Sequence, residues 1–304
     1  MMEKSKNLPW LSSFFYLAFL IVFSACSSSR AVASPGIFNP DAGQEVTFMP
    51  ENELHLEDSF FLNNMTEREF SDVVSKLQKL YQPLVSRMGA RLSIIGKWYD
   101  NTVNAYAYQQ GSTWYVEILG GLARRPEISV DGLSMVVCHE LGHHLGGFPT
   151  YPRDWASSEG QSDYYASQAC AKKLWAYESA ENQRAYEEGS EEAIEFCENS
   201  RLQPTEVPLC VRTLDASIGL ARLLNGGDSV SLYTPDRTVV RTTQTSHPGG
   251  QCRLDTYAQG AICTAKWNLY SIPKTELQSR NSTCTRARNY EEGNRPLCWF
   301  KPSR

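Results

Sequence analysis

The chain is short of several things, and each shortage narrows what it can be. Past residue 23 no apolar run approaches the roughly 20 residues that a membrane span requires, so a multi-span membrane body is excluded. None of the nine cysteines stands in a Cys-x-x-Cys pair, which leaves a zinc ribbon without its ligands. No basic stripe stands out and the net charge is −5, which argues against nucleic acid as a partner. Histidine is scarce, with five in 304 residues, so the placement of each one carries information. What remains is an ordinary globular composition, long enough for one large domain or one domain with an appendage.

The N-terminus is of a different kind. Lys4 and Lys6 precede an apolar run from Leu11 to Phe23, and small residues follow it in Phe23-Ser24-Ala25-Cys26-Ser27. A short positive region, a short apolar run and small residues before a cut describe a secretory signal over residues 1–25. Cys26 directly after them resembles the lipobox of bacterial lipoproteins, in which that cysteine is lipidated. This implies a lipid anchor in the bacterial cell envelope facing the periplasm, and Ser27 favours the outer membrane. A plain signal peptide or an uncleaved anchor are the alternatives. Residues 26–45, rich in Ser, Ala, Gly and Pro, read as a tether. The other eight cysteines are an even number suited to an oxidising compartment, and they allow 105 pairings. Joining near neighbours would give 197–210, 252–263 and 284–298, leaving Cys138 for Cys170.

Two of the five histidines stand four apart in Cys138-His139-Glu140-Leu141-Gly142-His143-His144. On an α-helix His139 and His143 share a face and can grip one metal ion, while Glu140 can reach a water on that ion. Ser129 is placed to cap this helix, Leu133, Val136, Val137, Leu141 and Leu145 give it an apolar face, and Gly146-Gly147 ends it. His144 points to the other side and is expected to pack or to meet solvent. A catalytic zinc site takes three protein ligands. The downstream carboxylate candidates are Asp154, Glu159 and Asp163. Glu159 and Asp163 share a helix face, so that one could bind the metal and the other orient a ligand histidine.

Around this motif, Thr66-Glu67-Arg68-Glu69 has capping-box form and opens an amphipathic helix through Val85. Strands are predicted over 91–98, 105–109 and 113–119, the last two joined as a hairpin at Gln110-Gly111-Ser112. Helices are predicted from Ser157 to Trp175, in the Glu-rich 181–200 stretch and over 209–224. The expectation is an α+β fold, mostly helical, with a small sheet packed behind the His-Glu-x-x-His helix. The catalytic domain would span 46–265, and 266–304 reads as a Cys-rich irregular C-terminal segment.

Several of these segments, in this order, resemble the HtpX and CAAX-prenyl-protease type of gluzincin metallopeptidase. They are Asn104-Ala105-Tyr106-Ala107, Gly121-Leu122, His139-Glu140-x-x-His143, Glu159-x-x-x-Asp163 with Ser162 where Ala is usual, and Ser246-His247-Pro248 with Arg253. The resemblance covers roughly residues 60–260 and implies a zincin-like fold with one Zn2+ held by His139, His143 and Glu159. It further implies Asp163 behind the ligands, Glu140 as general base, and His247 and Arg253 near the reacting carbonyl. The substrate would be a polypeptide lying against an edge strand at Asn104, Ala105 and Tyr106, and the enzyme is expected to be an endopeptidase. Many members of that family span membranes repeatedly and this chain does not, which favours soluble or unfolded envelope polypeptides. The competing expectation is a non-catalytic zinc-binding envelope lipoprotein with a chaperone or structural role.

Overall fold

A computed structural model describes residues 45–57 and 63–303. The expected signal peptide, Cys26 and nearly all of the tether lie outside the described residues. In chain order the elements are β1 (Val46–Thr47), α1 (Glu67–Arg87), β2 (Arg91–Lys97), β3 (Ala105–Gln110), β4 (Thr113–Leu119), α2 (Gly120–Ala123) and α3 (Val130–Leu145). Then come α4 (Glu159–Tyr165), a π-helical segment (Ala166–Ala171), α5 (Lys172–Trp175), α6 (Ser179–Glu188), α7 (Glu191–Glu198), α8 (Val207–Leu224), α9 (Gly250–Ile262) and α10 (Glu276–Ser279). The architecture is α+β, with most of the regular structure helical. Among the described residues no helix is long and apolar enough to cross a membrane.

Local chemistry explains the first elements. Thr66 and Glu69 make the reciprocal capping box, and the periodic apolar face of α1 (Phe70, Val73, Leu77, Tyr81, Leu84) is buried against β2. The four-stranded sheet has the order β1-β3-β4-β2, with the β3–β4 hairpin antiparallel and β2 parallel to β4. Helix α3 packs on β3, β4, α1 and α8. It is buried all round rather than on one face, its polar residues included, with every residue from Gly132 to Leu145 buried. Ser129 caps it through the Gly132 amide, and Gly147, at φ +64°, supplies the left-handed residue past its end. The Arg212 guanidinium on α8 forks onto Asp131 in the first turn of α3 with both contacts at 2.8 Å, fixing that end.

Two expectations need correction. The first concerns β3, which is not an edge strand. Val46 pairs with Ala107 and Thr47 with Tyr106, and the Phe48 amide donates to Ala105 at 3.0 Å. The Asn104 side chain accepts from the Met49 amide at 3.0 Å and donates to its carbonyl at 3.3 Å. Asn104, Ala105 and Tyr106 therefore serve the chain's own N-terminal strand and are not open to a substrate. A two-residue strand carries no periodicity by which the sequence could announce it.

The second concerns the cysteines. Cys138–Cys170 and Cys197–Cys210 form as near-neighbour pairing suggested, but the remaining bridges are Cys252–Cys298 and Cys263–Cys284. Cys252 lies near the start of α9 and Cys263 at its end. Eleven helical residues separate such Cα atoms by about 16 Å, far beyond what a disulfide spans. Both therefore reach into 266–304, which these two bridges tie to α9. Trp299 from this segment covers Gly160 of α4, and Pro273 accepts the Phe148 amide at 2.7 Å.

Candidate metal centre

The site is built where α3 crosses α4. Gly142 lets them meet: a Cβ there would stand 2.8 Å from the Cα of Ser162. This close approach brings the first residue of α4, Glu159, to the two histidines of α3. Glu159 Oε2 lies 3.3 Å from His139 Nε2, and Glu159 Oε1 lies 3.6 Å from His143 Nε2. All three side chains are fully buried.

The outer nitrogen of each ring is engaged. His139 Nδ1 is 2.7 Å from Asp163 Oδ1, and His143 Nδ1 is 2.8 Å from the Ser157 carbonyl and 3.0 Å from Ser162 Oγ. With Nδ1–H donating, Nε2 of each ring keeps its lone pair for the interior. His139 Nε2, His143 Nε2 and Glu159 Oε2 are then buried atoms without a hydrogen-bond partner among the described residues. Ligand atoms of these three residues lie within 4.8 Å of one another. Orphaned buried polar atoms are costly, and three that converge are the arrangement a cation would satisfy. The group could hold a metal ion.

Comparison with protein-family models, with curated proteins and with solved structures gave no match. The site's meaning therefore rests on its own chemistry.

Glu140 is buried at the same place, and neither of its carboxylate oxygens has a partner among the described residues. Burial pushes it up to about 8 in the metal-free site, although the neighbouring His139 charge works the other way. Burial likewise opposes the charge on Glu159, but the surrounding imidazoles, His143 foremost, outweigh it and hold the carboxyl at about 2. Burial takes His143 down to about 3, so it is a neutral imidazole at ordinary pH. His139 is opposite in sign. Burial alone would lower it, yet the Asp163 charge and hydrogen bond carry it up to about 9, so a cation would take the Nε2 lone pair by displacing a proton.

His247 is brought to the site as the sequence suggested. Its Nε2 lies 3.5 Å from Glu159 Oε2 and 2.8 Å from the Thr47 carbonyl, and the side chain remains partly exposed. Arg253 is also brought in, but to the far edge of His139. It forks onto Asp163 at 2.8 and 2.7 Å, donates to the Phe48 carbonyl at 2.9 Å and is fully buried. Its nearest approach to His139 is to Nδ1, at 3.2 Å, the ring edge opposite the converging Nε2 atoms. Arg253 is thus a positioning residue that fixes Asp163, and it is not placed beside a reacting carbonyl. Asp154 turns into its own loop, accepting the Trp155 amide at 2.6 Å. His144 packs between Trp114 and Trp155, with centroid distances of 5.3 and 4.6 Å.

Sequence reasoning missed Phe48, whose ring edge meets His139 at 5.2 Å, and Tyr151, whose hydroxyl donates to Glu159 Oε1 at 2.7 Å. Neither stands in a motif. Tyr151 sits in a Pro-, Tyr- and Arg-containing loop that carries no spacing signal.

Proposed function

We propose that the protein is a zinc-dependent peptidase that hydrolyses polypeptides through a water activated by Glu140. The observation carrying this reading is the unpartnered buried carboxylate of Glu140 beside three converging orphan atoms of His139, His143 and Glu159. A two-imidazole, one-carboxylate donor set suits zinc, which when bound supplies a Lewis acid that polarises a carbonyl and lowers the pKa of water towards about 7. Glu140 takes the proton of the attacking water and passes it to the leaving amine. His247, partly exposed and next to Glu159, can donate to the developing oxyanion by turning its Nε2–H from the Thr47 carbonyl. Asp163, backed by Arg253, holds His139 in the tautomer that directs Nε2 inward.

The proposal extends to the HtpX-like zincin family, since three of the segments that carry that resemblance, around His139, Glu159 and His247, meet at the site. It includes export to an oxidising compartment, with which four disulfides agree, and, from the sequence alone, a lipid anchor on Cys26. With β3 covered, the sheet edge nearest the site is β1, so an extended substrate would meet the site along Thr47.

One observation favours a second reading, a zinc-holding protein without catalysis. The ligand set is fully buried and His247 stands near enough to complete a closed shell. A single experiment separates the two. Glu140→Gln is expected to keep zinc and lower cleavage of an unfolded polypeptide by about 10²–10⁴-fold, the usual range for a general base. A wild-type protein that holds zinc and cleaves nothing would leave only the structural role.

A further inference from the structure

Resting on the metal-site reading above, we propose that Tyr151 is a positioning residue that commits Glu159 to binding the metal through Oε2 alone. A carboxylate can meet a cation with one oxygen or two. Here the oxygens differ: Oε1 accepts the Tyr151 hydroxyl at 2.7 Å, whereas Oε2 is the buried atom left without a partner. Oε2 also faces His139 Nε2 at 3.3 Å, while Oε1, held by the hydroxyl, stands farther off, 3.6 Å from His143 Nε2. The bond is charge-assisted, of the stronger class, and it occupies the oxygen that would otherwise be free to swing toward the cation.

The loop that carries Tyr151 is built to hold it. Tyr151 donates its amide to Ala156 at 2.9 Å, and Thr150 bridges to Ser157. The Trp155 indole lies on His144, which itself lies on Trp114, so the loop is clamped to α3 and β4. From the same loop, the Ser157 carbonyl orients His143. One ten-residue turn, 148–157, thus orients two of the three ligands, as Asp163 with Arg253 orients the third. The Tyr151 ring packs with Val46, Ala107, Ala156 and Trp155, contacts a phenylalanine would make equally well. Within this arrangement the hydroxyl serves Glu159.

The test is Tyr151→Phe, which removes one oxygen and keeps the packing. Zinc affinity is measured on the purified full chain by competition with a chromophoric chelator, beside Val46→Ala, which loosens the same apolar cluster without touching the hydroxyl. Tyr151→Phe is expected to bind zinc roughly 10–100-fold more weakly, the range typical of groups that orient a metal ligand, and Val46→Ala to bind as wild type does.

Equal zinc affinity in Tyr151→Phe and wild type would overturn the proposal. So would an equal loss in Val46→Ala, which would make the effect one of packing. A fall in kcat at undiminished zinc affinity would place Tyr151 on the substrate and overturn it as well. Because the readout is zinc binding, a protein that binds zinc but cleaves no polypeptide would sink the peptidase reading and leave this one standing.

Discussion

His139 and His143 share one face of one helix, yet their surroundings are opposite in kind. His139 is held by ions: Asp163 takes its Nδ1–H, and Arg253 neutralises Asp163 from behind. His143 is held by neutral groups, the Ser157 carbonyl and the Ser162 hydroxyl. The consequence is electrostatic. The same imidazole is carried up to about 9 at one position and down to about 3 at the other. Neighbouring ligands in a five-residue motif are therefore not equivalent. One depends on a buried ion pair that fails badly if a partner is lost, and the other on bonds that can be given up singly.

Asp163→Asn breaks the comparison most severely. It strands the Arg253 cation, which has no exposure and whose other carboxylate neighbour among the described residues, Glu159, stands 3.9 Å away. Removing one partner of a buried pair typically costs about 3–5 kcal/mol, so chemical denaturation should show a loss of that order. Zinc affinity should fall with it, because the His139 tautomer is no longer enforced. Unchanged stability in this variant would show that the ionic half of the site is dispensable.

How much of this asymmetry was legible beforehand follows from how local its causes are. The helix of His139 and His143 announces itself through the Ser129 cap, its apolar residues and Gly147. Glu159 and Asp163 follow four apart on the next helix. The amphipathic α1 and the β3–β4 hairpin were equally open to reading, since capping boxes and turn residues act within a few positions. What escaped was long-range. Phe48 meets Arg253 and Thr47 meets His247 across about two hundred residues, and no period in either segment encodes that meeting. The Cys252 and Cys263 pairings escaped for a related reason: without α9 in view, eleven residues of separation looked like proximity. Arg253 is expected near the reacting carbonyl and instead forks onto Asp163, because a motif gives membership of a site and not direction within it.

His144 sharpens the comparison at intermediate scale. It neighbours His143 and is buried like it, and burial takes it from the ordinary 6.5 down to about 4. A histidine lowered in this way is neutral when folded and protonated when unfolded between those values. Its stabilisation is therefore present above about 6.5 and lost as pH falls toward about 4. The loss due to His144 between pH 7.5 and 5 is on the order of 2 kcal/mol. His144→Phe keeps an aromatic ring between Trp114 and Trp155 and removes that titration. The metal-free variant should lose visibly less Tm than wild type on acidification, and parallel Tm–pH curves would refute the assignment to His144.

The smallest effect is the most discriminating. Ser162 Oγ stands 3.0 Å from His143 Nδ1, but the Ser157 carbonyl is closer, at 2.8 Å, and belongs to a backbone that no side-chain change removes. Ser162→Ala leaves the Cα that packs on Gly142 in place and takes away only the second acceptor. The expected cost is about 0.5–1.5 kcal/mol, the net worth of one neutral hydrogen bond, with zinc affinity unchanged. Were Ser162→Ala to lose zinc as Asp163→Asn does, the neutral side would be as unforgiving as the ionic one. His143 would then be oriented by the hydroxyl and not by the loop, and the contrast between the two ligand histidines would rest on charge alone.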